Sequence, residues 1–403
     1  MQNFISKKTN YIILLVFMNK IIENFFKKEL DKLRWGTIQL NIKNLYQKKF
    51  IGAKDGLKSN IFINDLSVIK DFMLRGDLGF AEGYIDRKWE TKNLNNLLKI
   101  LLINQDINKK EWKPSFFNKI KEKIYFFFKK NSIKQAKENI KYHYDLGNDF
   151  YKYWLDSTMT YSSGIFKANC NLTEAQLNKY KNICEGINLN KQHKVCEIGS
   201  GWGGFLNYAG NKSCEIDGIT ISKQQYDFIN DQNNILNSKI YLKDYRNIHK
   251  KYDKVVSIEM FEAVGKRYWN MFFEKLNSIL NINGEACLQI ITIDEKYFTK
   301  YLGNVDFIQK YIFPGGMLPT KQILFHLFKK NDFTLMNSTS FGKDYSKTLM
   351  SWKKNFNKNW DRIKNNKFDD KFKRLWNYYL DYCETGFSLD HTDVTQFYLK
   401  KSN

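Results

Sequence analysis

The stretch KVCEIGSGWGGF, Lys194 to Phe205, restricts this chain more than any other. Val195, Cys196 and Ile198 form a short apolar run stopped by glycine, the pattern of a buried strand. Gly199, Gly201, Gly203 and Gly204 follow at once. Without β-carbons at such a turn, a ligand can lie against the backbone, and the next helix offers free N–H groups. The acid precedes the first glycine, as Glu197-x-Gly199-x-Gly201-x-Gly203, so the spacing departs from the dinucleotide fingerprint. It suits S-adenosylmethionine, whose cationic amino-acid end can meet the carboxylate and which has no pyrophosphate to cradle. An ordinary strand-turn-helix would look the same locally, so the order of the following elements has to decide.

After Gly204 strand and helix patterns alternate. EIDGITI (215–221), 239–243, YDKVVSI (252–258) and EACLQIITI (285–293) read as strands, a helix follows over 222–230, and 333–341 and 395–399 supply two more strands. Repeated βα units joined by right-handed crossovers predict a doubly wound seven-stranded sheet, the class I methyltransferase α/β fold. Ligands then sit beyond the carboxyl ends of the strands. Glu197, Ile221, Asp244, Glu262 and Gln289 lie at or near such ends and should face one cleft.

The rest of the chain divides into three parts. Residues 1–110 read as a small α+β unit with a strand GTIQLNI (36–42), a second at 60–63 pairing with it, and helices over 66–74 and 94–103. This unit carries no catalytic set and is assigned lipid binding or dimerisation. Residues 111–139 place Phe116, Phe117, Ile120, Ile124, Phe127 and Phe128 at helical spacing among lysines. A basic amphipathic helix of this kind can lie in a headgroup region or dock on its own protein. Residues 140–403 hold the glycine loop, preceded by an aromatic block at 140–165 that can act as a lid or as core.

Tyr11 to Met18 is too short to span a bilayer and lacks a cleavage site, so neither export nor a membrane span is expected, and Met18 is an alternative start. The 65 Lys+Arg against 42 Asp+Glu give a net charge of +23, which favours anionic partners, although an AT-rich coding sequence gives the same bias. The scattered cysteines Cys170, Cys184, Cys196, Cys214, Cys287 and Cys383 form no C-x-x-C pair, and no histidine has metal-ligand spacing. Reduced thiols in the cytoplasm and no metal are expected.

From about Leu78 onward the chain resembles the cyclopropane fatty acid synthases, a family that includes the mycolic acid cyclopropane synthases. The likeness rests on HYDLGNDFY (143–151), MTYSSG (159–164), EIGSGWGG (197–204), TISKQQ (220–225), DYR (244–246), MFEAVG (260–265), KYIFPGGMLP (310–319) and DYSKTLMSW (344–352). It implies transfer of a carbon from S-adenosylmethionine to the double bond of unsaturated acyl chains of membrane phospholipids. Such an enzyme would be cytoplasmic and peripheral at the inner face of an anionic membrane, and the family suggests a homodimer.

By position, the resemblance puts Tyr161 and Ser162 at the methionine end of the cofactor and Glu197, Gly199, Ser200, Gly201, Trp202 and Gly203 in its loop. Thr220, Ile221 and Gln225 would reach the ribose and adenine, with Gln225 in place of the usual acid, and Tyr245 and Arg246 would flank the adenine. An alkene is a weak nucleophile, so the electrophilic methyl must be held close and aligned. The cation that results can rest on aromatic faces, for which Tyr144, Tyr151, Tyr161, Trp202 and Phe261 are candidates, each equally suited to a core.

The resemblance also implies a bicarbonate ion as the base, held by Glu262 and Tyr345, by Ser163 where the family has cysteine, by Gln289 where it has histidine, and by the Ile291 N–H. Glutamine cannot take up a proton near neutral pH, so altered proton removal would give a methyl-branched or methylene chain instead of a ring. Cys383 matches a cysteine designated as the family's active-site residue. A thiolate has no task in methyl transfer to an alkene, and nothing basic adjoins Cys383 in sequence.

Two other readings compete. A methyltransferase of nucleic acid or a small amine would want a proline-flanked Asn/Asp pocket or an RNA-binding domain, and neither occurs. A catalytically silent lipid-binding protein is disfavoured by the intact glycine loop with Glu262 and Tyr345, while Ser163 and Gln289 leave it open.

Overall fold

The computed structural model describes residues 30–42, 45–108, 146–210, 212, 215–232 and 237–402. The apolar stretch at 11–18, the basic segment 111–139, Tyr144 and Cys214 lie outside the described residues. Two compact units are present: the described residues within Met1–Asn118 with Arg374–Thr385, and those within Lys119–Lys373 with Gly386–Asn403.

In the first unit, β1 (Trp35–Ile42), β2 (Tyr46–Ile51), β3 (Lys54–Ile63) and β4 (Trp89–Glu90) form a sheet in the order β2-β1-β3-β4. β1 runs parallel to β3, with Gln39 opposite Asn60 and Ile42 opposite Ile63, so the pairing expected for 60–63 is present. Helix α1 (Ser67–Ile85) is longer than the expected 66–74 and changes direction at Gly76, φ +55°, which the missing β-carbon permits. The stretch from Gly79 onward, outside both expected helices, is helical to Ile85. Its small residues allow this: Gly83 lies against Trp89, and a β-carbon there would come 3.0 Å from the indole. Helix α2 (Leu94–Asn108) follows, with Leu97 and Ile100 buried.

The second unit opens with α3 (Asn148–Lys152) and α4 (Leu172–Gly186), the latter started by a capping box between Asn171 and Glu174. Then come β5 (Lys194–Ile198), α5 (Gly204–Gly210), β6 (Glu215–Thr220), α6 (Lys223–Asp231), β7 (Ser238–Leu242), β8 (Tyr252–Ile258), α7 (Trp269–Ile279) and β9 (Leu280–Ile293). Helices α8 (Glu295–Gly303), α9 (Phe307–Tyr311) and α10 (Lys321–Lys330) lead to β10 (Phe333–Ser340). The chain ends with α11 (Gly342–Lys358), α12 (Trp360–Ile363), α13 (Asp370–Ser388) and β11 (Thr392–Lys401), α13 contributing residues to both units.

The seven strands lie in the order β10-β11-β9-β8-β5-β6-β7. β11 is antiparallel to both neighbours, and the pairings of β5 through β9 are parallel. This is the expected α/β sheet. The chain winds outward from β5 through β6 to β7, then returns to β8 on the other side. β5 and β8 therefore flank the switch point, where a ligand crevice opens at the carboxyl ends.

Val195, Cys196, Val255 and Val256 are buried, as strands covered on both faces must be. One apolar layer gathers Phe261, Trp269, Phe272, Phe273, Leu276, Phe328 and Phe397 against the sheet. Phe273 touches Phe261, Phe272, Phe328 and Phe333 with ring centroids 5.3–6.4 Å apart. Phe273→Ala should lower the stability of this unit by about 3–5 kcal/mol, because so enclosed a site collapses poorly. Urea unfolding followed by tryptophan fluorescence measures it, and a loss below about 1 kcal/mol would contradict this packing.

Candidate active site

The glycine loop follows β5 directly. Gly199, Gly201 and Gly203 have φ of +85°, +54° and +85°, which glycine adopts without strain. A β-carbon on Gly199 would come 2.8 Å from Met260, so the loop packs against the segment after β8. A β-carbon on Gly201 would meet nothing within 4 Å, so the loop is open on that side. Trp202 is buried and donates its indole N–H to Asn148 Oδ1 at 2.8 Å, and its ring lies 4.6 Å from that of Tyr151. The described part of the aromatic block thus covers the loop, while Tyr151 and Trp154 are themselves buried.

Glu197 stands on β5, two residues before the first glycine of the loop. It is 2 % exposed, and its Oε2 has no hydrogen-bond partner among the described residues. Burial pushes its carboxyl up to about 7, against the Ser200 hydroxyl and the charge of Lys179. Buried polar atoms are rarely left unpaired, so an orphaned carboxylate oxygen beside a glycine loop fits the ammonium of a bound amino acid. At the end of β6 the Thr220 hydroxyl donates to Gln225 Oε1 at 2.9 Å and fixes the buried Gln225 head there. Ile221 follows directly, half-buried. Tyr245 lies half-buried beyond β7, and Arg246 is held by Asp244 through two hydrogen bonds of 2.8 and 2.7 Å. These residues fit S-adenosylmethionine, which supplies an electrophilic methyl group when bound.

A second cluster stands at the ends of β8 and β9. Glu259, the first residue after β8, accepts hydrogen bonds from the Ser163 N–H at 2.9 Å, the Gln289 amide at 2.7 Å and the Tyr345 hydroxyl at 2.6 Å. Glu262 accepts from the Ile291 N–H at 2.5 Å, and its Oε2 is shut from solvent with no partner among the described residues. The resemblance allotted these same donors to a bicarbonate ion. They are occupied by the protein's own carboxylates, so bicarbonate does not fit this site as the structure stands.

The donors are themselves positioned. Gln396 lies opposite Gln289 across β11 and β9, and its amide donates to Gln289 Oε1 at 3.0 Å. Asn182 and the Tyr398 hydroxyl both donate to Gln396 Oε1 at 2.7 Å. The row turns the Gln289 amide N–H group toward Glu259, and it also donates to the Ser163 carbonyl at 3.4 Å. Tyr345 stacks on Phe387, with centroids 4.2 Å apart. On the same helix Thr348 and Asp344 accept the N–H groups of Gly164 and Phe166 and so clamp the strand of chain that carries Ser163.

Lys179 is fully buried between the two clusters and donates to Ser162 Oγ and Gln176 Oε1, both at 2.6 Å. Burial lowers its ammonium to about 7, opposed by the charges of Glu259, Asp156 and Glu197. Burial raises Glu262 to about 8, and the neighbouring Glu259 pushes in the same direction. Glu259 is raised by burial and lowered by its hydrogen bonds and Lys179. Near neutral pH Glu262 is therefore mostly protonated.

Tyr161 stands among Tyr151, Trp154 and Trp352, with ring centroids 5.2–5.5 Å away, and forms an aromatic wall. Phe261 instead packs into the apolar layer with Trp269 and Phe272. Cys383 lies half-buried on α13, in the stretch that belongs to the first unit. Sequence reasoning missed Glu259 and Lys179. Glu259 had a signal in its place directly after a strand at the switch point, but Lys179 had none beyond a helical position.

The mycolic acid cyclopropane synthetase family model matches residues 131–397. The chain belongs to the cyclopropane fatty acid synthase family. It is 33% identical over 349 residues to the cyclopropane-fatty-acyl-phospholipid synthase of Escherichia coli, covering 85% of this chain and 88% of that one. It is 31% identical over 365 residues to the tuberculostearic acid methyltransferase of Mycobacterium tuberculosis, covering 86% and 84%. Among solved structures it is similar to the mycolic acid cyclopropane synthase CmaA1 complexed with SAH and CTAB, with a TM-score of 0.61, 26% identity, and 66% of this chain and 98% of that one covered. The chain is a methyltransferase that uses S-adenosylmethionine, as the family does. Among the described residues no helix is long and apolar enough to cross a membrane, and no group of three or more His, Cys, Asp or Glu is placed to hold a metal.

Glu197 gives a pH test. Its carboxyl must be ionised to receive the ammonium, and burial sets its titration near 7. Affinity for S-adenosylmethionine should therefore rise from pH 6 to pH 8 and level off above. Glu197→Gln should bind weakly without that rise. Calorimetric titration across the range measures both, and an affinity that falls toward pH 8 would contradict the assignment.

Proposed function

We propose that this enzyme is a cyclopropane-fatty-acyl-phospholipid synthase. It moves a carbon from S-adenosylmethionine to the double bond of unsaturated acyl chains in membrane phospholipids and closes a cyclopropane ring. The observation that carries this reading is the pairing of two sites at one switch point: the orphaned Glu197 under an open glycine loop, and the Glu259–Tyr345–Gln289 cluster after β8 and on β9. The first is built for a cationic donor. The second is built to handle a proton, which a simple cofactor-binding protein has no use for.

Each chain residue then has a task. Glu197, with Tyr161 and Ser162, holds the amino-acid end. Gly199, Ser200, Gly201 and Gly203 let the cofactor approach the backbone, and Trp202 with Asn148 closes the loop against water. Thr220, Ile221 and Gln225 orient the ribose and adenine, flanked by Tyr245 and Arg246. Tyr161 and its aromatic neighbours present faces to the positive charge that develops on the acyl chain. Cys383 has a structural role and is not a nucleophile.

The reading extends to the cell. The net charge of +23 supports work at an anionic membrane surface, in the cytoplasm at the inner membrane face. The unit at 1–110 serves lipid binding or dimerisation, and 111–139 links it to the methyltransferase domain over 140–403. A methyl-branched product is the second reading, favoured by the likeness to the tuberculostearic acid methyltransferase.

Expression in a host lacking its own synthase should add one methylene unit to the mass of unsaturated phospholipid acyl chains. Chromatography against standards should show the ring. A branched standard co-eluting would move the assignment to the second reading, and unchanged lipids would end both.

A further inference from the structure

We infer that Glu259 is the resident base of this enzyme, its carboxylate taking the proton that ring closure releases, so that no free anion is needed. This rests on the reading proposed above. Three observations point to it.

The first is the donor set. The backbone N–H of Ser163, the Gln289 amide and the Tyr345 hydroxyl converge on one carboxylate at 2.6–2.9 Å. They come from a loop, the sheet and a helix, so the convergence is not a local turn motif. Three donors of this kind would hold a carbonate-like anion, and here the chain itself supplies the oxygens.

The second is the backbone. Glu259 has φ +50°, in the left-handed region that non-glycine residues seldom occupy. Its N–H is tied to the Gln289 carbonyl at 2.8 Å, so the surrounding sheet imposes the conformation. Strain held in this way marks sites where a side chain must be aimed.

The third is charge. A base in a closed site has to be ionised before the reaction. Burial raises the Glu259 carboxyl, and the three donors and Lys179 work against that rise and toward the charged form, while burial raises the neighbouring Glu262 to about 8.

The alkene π pair forms a bond to the incoming methyl carbon as the C–S bond breaks, leaving its pair on sulfur. The positive charge falls on the other alkene carbon. A Glu259 oxygen takes one proton from the new methyl group, and the C–H pair closes onto the cationic carbon as the third side of the ring. Glu259 is left as a carboxylic acid and returns the proton to solvent after product release.

The test compares the full-length enzyme with Glu259→Gln and Glu259→Gly in carbon-dioxide-free buffer with and without added bicarbonate, on vesicles of unsaturated anionic phospholipid. Ring product is read by mass spectrometry and S-adenosylmethionine binding by calorimetry. Wild type should form ring product at the same rate at both bicarbonate levels. Both variants should bind the cofactor yet lose roughly 10²- to 10⁴-fold in ring formation without bicarbonate. Glycine accepts φ +50° freely, so Glu259→Gly should fold and should regain product when bicarbonate fills the vacated donors.

A wild-type enzyme that loses its product without bicarbonate overturns the proposal, and this result needs no variant to fold. So does either variant that keeps the wild-type rate in bicarbonate-free buffer. Wild type that binds the cofactor and modifies no acyl chain at any bicarbonate level overturns the function itself, a result distinct from the other two.

Discussion

Carboxylates drawn in from water at the ends of two adjacent parallel strands are the constraint around which the catalytic unit is built. An ionised acid is costly to bury unless donors or a cation offset the loss of hydration. Glu197 lies near the end of β5 and Glu259 directly follows β8, at the point where the strand order reverses, and Glu262 stands a few residues further on. Each is balanced differently. Glu259 has three hydrogen-bond donors. Glu262 has one and is driven toward its neutral form. Glu197 keeps an orphaned oxygen, which the ammonium of a bound cofactor would fit.

Lys179 connects the two halves of this arrangement. It is a buried ammonium placed by helix α4, within electrostatic reach of both Glu197 and Glu259, and anchored by Ser162 and Gln176. Burial lowers it to about 7, and the charges of Glu259, Asp156 and Glu197 oppose that fall. Loss of either acid would weaken the case for a charged lysine, and loss of the lysine would raise both acids. The surroundings of Glu197 and of Glu259 are thus coupled through one cation. The aromatic wall around Tyr161 adds a surface that tolerates positive charge without offering a nucleophile to it.

Much of the fold was legible because it is written in local patterns. The runs at 194–198 and 252–258 are strands with the expected bounds, and the run at 285–293 is the latter part of β9, which begins at Leu280. The kinked helix α1 was legible only in part. Its second half is rich in glycine, which reads as a connection until Trp89 and Val68 are seen to need the close approach that Gly83 allows. The cofactor side was legible for the same reason as the strands: Glu197 and its glycines are contiguous.

The proton-handling side was legible only as a set of separate residues. Ser163, Gln289 and Tyr345 could be singled out, but Glu259 lies 96, 30 and 86 residues from them. The sequence alone determined the alternation of strand and helix, the glycine turn and the acid before it, because these depend on neighbours a few residues apart. Only the tertiary structure decided that Glu259, and not a free ion, receives those donors. Hydrogen bonds are directional and short-ranged, and which groups come within reach is settled by the packing of β8 against β9 and of helix α11 over their ends.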